Sequence, residues 1–83
     1  MTNEAEVYAA LAAILGEVLG QPDVALSPAL RLEELPEWES MKLIEVVVAL
    51  EDRFGMAFGT RELDRLRNVG DLARVVLAKA PAN

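Results

Sequence analysis

The chain has 83 residues, a 53% hydrophobic composition and a formal net charge of −6. It holds neither cysteine nor histidine, which excludes disulfide support, zinc sites of the usual kind, a thiolate nucleophile and an imidazole base. So acidic a chain repels nucleic-acid phosphates and anionic lipid, and it favours partners that present basic patches.

One domain spanning residues 1–83 is expected. A chain of this size buries only roughly 60–65% of its unfolded surface, so packing must supply the stability. The N-terminal stretch MTNEAEVY is acidic and lacks the positive start of a secretory signal. The longest apolar run, Val7 to Gly16, is far too short to span a bilayer. These features lead us to expect a soluble, cytoplasmic, free-standing chain with no nucleic-acid or membrane partner.

The first helix is expected from about Asn3 to Leu19. Val7, Leu11, Ile14, Leu15 and Val18 recur at helical spacing and form one apolar face. Thr2 or Asn3 can cap it, Glu4 and Glu6 suit its positive end, and Gly20, Gln21 and Pro22 stop it. A connection from Gly20 to Glu39 follows, long for a compact domain. Val24, Leu26, Leu30, Leu32, Leu35 and Trp38 would tack it onto the helices, and Ser27-Pro28 can start a short turn. Pro36 interrupts any continuous helix into the next element.

The central element is WESMKLIEVVVALEDRFG, Trp38 to Gly55. Val46, Val47 and Val48 favour a strand, but the stretch is too long for one and lacks alternation, so a helix is expected. Ser40 stands as its N-cap and Gly55 as its left-handed close. From Leu43 to Leu50 every residue but Glu45 is apolar, which predicts a helix buried on most sides. Met41, Glu45, Val48 and Asp52 nevertheless share one stripe, with Glu51 beside it. Periodicity alone leaves two readings of that stripe: a solvated face with stray hydrophobes, or a docking surface with apolar grip and an acidic rim.

Met56 and Phe58 are expected as buried anchors. Thr60 caps a short helix, Arg61 to about Leu66, with Leu63 and Leu66 inward. Asn68 and Asp71 have capping-box spacing and open a last helix near Val69, which runs to about Lys79. Leu72, Val75, Val76 and Leu77 pack inward, and Pro81 ends it. The expected fold is all-α: a four-helix bundle with a long first loop and a short third helix.

Ser40 is the candidate site. An anion attached there would gain about 0.3–1 kcal/mol from the positive end of the helix. A plain capping serine has the same spacing. The segment Glu39-Ser40-Met41 followed by LIEVVVALEDRFG, with NVGDLARVV further on, resembles the acyl carrier protein family. That family's pattern is Asp-Ser-Leu, an apolar run with one early acid, then an acidic pair before Phe-Gly.

The resemblance implies a carrier and not an enzyme. Ser40 would take a 4′-phosphopantetheine arm from coenzyme A through a phosphopantetheinyl transferase, and the arm's thiol would hold acyl groups as thioesters. Glu39, Met41, Glu45, Val48, Glu51 and Asp52 would meet acyl-transferring and condensing enzymes with basic docking patches, the carrier itself a monomer. An acyl chain would slip in near Val47, Leu50, Met56, Phe58 and Leu63.

Three departures from the pattern stand out: Glu39 for Asp, Met41 for Leu, and the arginines Arg61, Arg65 and Arg67 around the third helix. The arginines either pair with Glu62 and Asp64 or form a mixed-charge surface suited to a polyketide or nonribosomal-peptide-like pathway; fatty acid synthesis is the other expectation. Two rivals are an unmodified carrier-like interaction module and a small enzyme using Glu37 and Glu39 as paired carboxylates.

Overall fold

Asn3 starts the first helix, as its side chain accepts a hydrogen bond from the Glu6 N–H at 2.9 Å. The computed structural model describes residues 2–20 and 25–80. Among them are four α-helices: α1 (Glu4–Leu19), α2 (Ser40–Phe54), α3 (Thr60–Asp64) and α4 (Val69–Lys79), with a 3₁₀ turn at Leu32–Glu34 inside the first loop. Gln21, Pro22, Val24 and Pro81 lie outside the described residues.

The core sits where α1 packs on both α2 and α4. Val7, Leu11 and Leu15 of α1 are fully enclosed, as are Val46 and Leu50 of α2 and Val69, Leu72 and Val76 of α4. The apolar spacing of each helix therefore does what periodicity predicts, with Val18 and Val75 half-buried at its edges. Gly20 and Gly55 close α1 and α2 with φ of 67° and 62°, a backbone that a side chain would strain. The capping box of α4 is present in full: Asn68 accepts from the Asp71 N–H at 2.8 Å, and Asp71 accepts from the Asn68 N–H at 3.2 Å.

Four expectations are corrected. The α2 helix is not buried on most sides, because Met41, Ile44 and Val48 are 68%, 58% and 50% exposed; a domain this small has too few elements to cover every face of it. Leu77 is 38% exposed because it lies off the α4 face that Val69, Leu72 and Val76 bury. The third helix begins at Thr60 with Gly59 as its cap and ends at Asp64. Glu62, not Thr60, organises that start by accepting from the Gly59 N–H at 2.7 Å. Finally, Arg61, Arg65 and Arg67 do not pair with the carboxylates of Glu62 and Asp64 among the described residues. Glu62 takes Lys79 instead, whose ammonium also donates to the Ala57 carbonyl at 2.9 Å.

The first loop is stitched to the head of α4 by backbone bonds. Leu32 N–H donates to Arg67 O at 3.0 Å, Val69 N–H to Leu30 O at 2.9 Å and Gly70 N–H to Pro28 O at 3.0 Å. A side chain at Gly70 would meet Pro28 O at 2.9 Å, so only glycine permits this approach. Beyond the stitch, Leu32 and Leu35 are buried and Trp38 packs half-buried against the core. Pro36 and Glu37 then turn the chain: Trp38 N–H donates to Leu35 O at 3.2 Å, and Glu37 has φ of 64°. That φ suits the second corner of a type II turn, a seat glycine normally takes.

Two expectations follow. Gly70→Ala should destabilise the fold by about 1–3 kcal/mol, read as a thermal midpoint lowered by at least about 4 °C. Burial pushes the Asp71 carboxyl up, but the Arg67 N–H, the Arg74 guanidinium and the Asn68 N–H outweigh it and hold it below the ordinary value of 3.8. A lowered native pKa gives stability that is complete above the unfolded value and is lost as pH falls through the native one. The thermal midpoint should therefore decline only below the ordinary carboxylate range. Asp71→Asn should lower it at neutral pH and flatten that acid limb.

Candidate functional site

The first loop and α2 bring Ser40 to the surface. Glu39, not Ser40, is the N-cap of α2, with extended backbone at φ −139° and ψ 157°, and its side chain makes no capping bond. Ser40 is therefore the first helical residue, a correction to its expected capping role. The reason is the backbone path out of the Pro36-Glu37 turn, which stays extended through Glu39. The consequence is chemical: Ser40 is exposed, and its hydroxyl is not committed to a helix N–H among the described hydrogen bonds.

Lys42 fixes the start of the helix. Its ammonium donates to Val18 O at 3.1 Å in the last turn of α1, a favourable place for a cation. It is thus directed at the scaffold. Beside Ser40 opens a cleft of about 370 Å³, lined by Leu32, Trp38, Leu43 and Leu66 together with Arg31, Glu33 and Arg67. Its walls come from the loop, from α2 and from the segment between α3 and α4.

Of the expected partner-facing residues, Glu39, Met41, Glu45, Val48 and Asp52 are all exposed. Glu51 differs: its carboxylate accepts from the Phe58 N–H at 2.8 Å and its carbonyl from the Gly55 N–H at 2.9 Å. It holds the loop after α2 in place. Ile44 was not on the expected list, yet it is 58% exposed between Met41 and Val48. Its position three residues after Met41 and four before Val48 was the signal for it; the surrounding apolar run disguised it as core. Of the five residues expected around an acyl chain, Val47, Leu50 and Phe58 are buried, while Met56 and Leu63 are half-buried. None of the five lines the cleft at Ser40. The candidate carboxylates Glu37 and Glu39 are both exposed.

A serine so placed fits a covalently attached phosphodiester, since the hydroxyl is accessible and the adjoining cleft carries two guanidinium groups. Comparison with known proteins agrees with this chemistry. The family model described as a phosphopantetheine attachment site matches residues 9–76. An acyl carrier protein of Acidothermus cellulolyticus is 33% identical over 69 residues, covering 83% of this chain and 82% of that protein. A meromycolate extension acyl carrier protein of Mycolicibacterium aurum is 28% identical over 74 residues, covering 89% of this chain and 76% of that one. The solution structure of a holo acyl carrier protein from Geobacter metallireducens superposes with a TM-score of 0.78 at 30% identity, covering 88% of this chain and 83% of that chain.

The two kinds of acid on α2 can be told apart by experiment. Glu51→Ala leaves the Phe58 N–H without its partner and should cost about 1–3 kcal/mol. Glu45→Ala, on the exposed face, should stay within about 0.5 kcal/mol of the parent in urea unfolding.

Proposed function

The chain belongs to the phosphopantetheine attachment family and is an acyl carrier protein, a carrier and not an enzyme; from that premise we propose that Ser40 bears the arm. The observation that carries this reading is the exposed, uncommitted hydroxyl at the first residue of α2. A new bond forms between Ser40 Oγ and the pantetheine-bearing phosphate of coenzyme A, while the bond from that phosphate to the nucleotide part breaks. The chain has no imidazole, so the hydroxyl proton passes to a base of the phosphopantetheinyl transferase. The chain also has no thiol, and the sulfur that holds the acyl group comes with the arm.

The exposed stripe of α2 supports a partner surface. Met41, Ile44 and Val48 supply apolar grip, and Glu39, Glu45 and Asp52 supply an acidic rim. Partner enzymes with basic patches would be steered to it by complementary charge, and exchange among them depends on short residence. Glu51 holds the Phe58 N–H with one carboxylate oxygen and would meet such a partner with the other. The cargo is an acyl intermediate of fatty-acid-type elongation or of a polyketide or nonribosomal-peptide-like assembly. A long chain entering the core would pass Met56 and Leu63, the half-buried pair, to reach Val47, Leu50 and Phe58. We read residues 1–83 as a single carrier domain, monomeric and cytoplasmic. Among the described residues no helix is long and apolar enough to cross a membrane.

Incubation with coenzyme A and a broad-specificity transferase should add the mass of one arm, and Ser40→Ala should abolish the gain. No gain in the parent chain would leave an unmodified interaction module as the better reading, and a gain that survives Ser40→Ala would move the attachment elsewhere.

A further inference from the structure

Two arginines from distant parts of the chain meet at the cleft beside Ser40. Leu32 N–H donates to Arg67 O, and Arg31 bridges Asn68 in antiparallel fashion. This backbone pairing brings the two segments together, with Arg31 opposite Asn68 and Leu32 opposite Arg67, and both arginines line the cleft. Two cations on the walls of one cleft favour an anion between them. Arg31 has Glu33 as a partner. The Arg67 guanidinium spends one nitrogen on the carbonyls of Asp64 and Leu66, at 2.9 and 3.1 Å, and meets no carboxylate among the described ion pairs. Carbonyl partners leave its charge in place and its remaining N–H groups free to bind an anion.

Apart from Ser40 itself and Glu33, whose carboxylate Arg31 holds, the other walls of the cleft are apolar: the ring of Trp38 and the side chains of Leu32, Leu43 and Leu66. A ligand that fits carries an anionic group joined directly to a branched hydrocarbon segment. The arm, beginning at Ser40 itself, has that order: a phosphodiester first, then the dimethyl-bearing carbon of the pantoyl unit. We infer that the cleft seats the first part of the arm, its phosphodiester against Arg31 and Arg67 and its branched carbons against Trp38 and Leu43. This rests on the reading that Ser40 is the attachment point. It adds that the unengaged carrier keeps its tether folded along the loop side of α2, away from the Met41–Ile44–Val48 stripe.

Trp38 is the sole tryptophan of the chain and forms one wall of this cleft, so its fluorescence reports from that wall. The unloaded and loaded full chains are compared, with intact mass establishing that loading is complete. Two exposed ion pairs favour the seated arm by about two- to thirtyfold. Acrylamide quenching of Trp38 should then fall on loading, and the Trp38 indole and Arg67 amide resonances should move while those of Ala9 and Ala13 on α1 stay fixed. In an Arg31→Gln/Arg67→Gln variant that still loads by mass, quenching should rise back toward the unloaded value. Should that variant resist loading, high salt applied to the loaded parent chain should do the same by screening the pair.

Complete loading with unchanged quenching and unmoved resonances would overturn the inference. Protection that persists undiminished in the loaded double variant, or at high salt where that variant cannot be loaded, would overturn the role of the two arginines. Movement that appears only when an acidic acyl group is carried would assign the cleft to cargo and not to the arm. Failure of the parent chain to load is a separate result, read by mass, which overturns the Ser40 reading and this one with it.

Discussion

The backbone stitch between the first loop and the head of α4 is the constraint on which the functional face depends. A loop as long as this one has a large closure entropy to overcome, and side-chain packing alone would leave its path loose. Three backbone hydrogen bonds, from residues 28–32 to residues 67–70, hold it. They form because Gly70 lets Pro28 approach α4, and because Asn68 and Asp71 have already organised the helix start from their own side chains. Everything downstream inherits that geometry: Leu32 and Leu35 drop into the core, the Pro36-Glu37 turn reverses the chain, and Trp38 lies against the bundle.

From there the exposure of Ser40 follows mechanically. Glu39 leaves the turn in extended conformation, and Ser40 is the first residue to enter the helix. A serine one position earlier would use its hydroxyl on the helix N–H groups. A serine one turn later would share that face but lie away from the positive end of the helix. At the first position the oxygen is at the surface and uncommitted. Lys42 fixes the helix to α1 from the opposite side, so the start of α2 is held on two flanks while its outward stripe remains open.

That open stripe shows how a small bundle divides one helix between stability and recognition. Val46, Val47 and Leu50 face inward and are buried, while Met41, Ile44 and Val48 face outward and remain exposed. The three consecutive valines belong to both sets. A β-branched run is tolerated in the helix because two of its members gain core contacts that outweigh their weak helix preference. Glu51 marks the boundary between the two uses, since it lies beside the acidic stripe yet bonds the loop behind it.

The sequence by itself determined the number and order of the helices, the glycine close of α2, the capping box of α4 and the family. These are local matters of spacing, capping chemistry and motif, and they need no knowledge of what packs where. It also put Ser40 at the head of α2. The tertiary structure alone decided which apolar residues of α2 are core and which are surface, because that depends on where α1 and α4 lie around it. It decided that Glu51 and Lys42 serve the scaffold, since their partners are the Phe58 N–H and the Val18 carbonyl, backbone groups that no side-chain pattern announces. It decided, too, that Arg31 and Arg67 line one cleft, for residues 36 positions apart come together only through a backbone pairing that leaves no trace in hydrophobic periodicity.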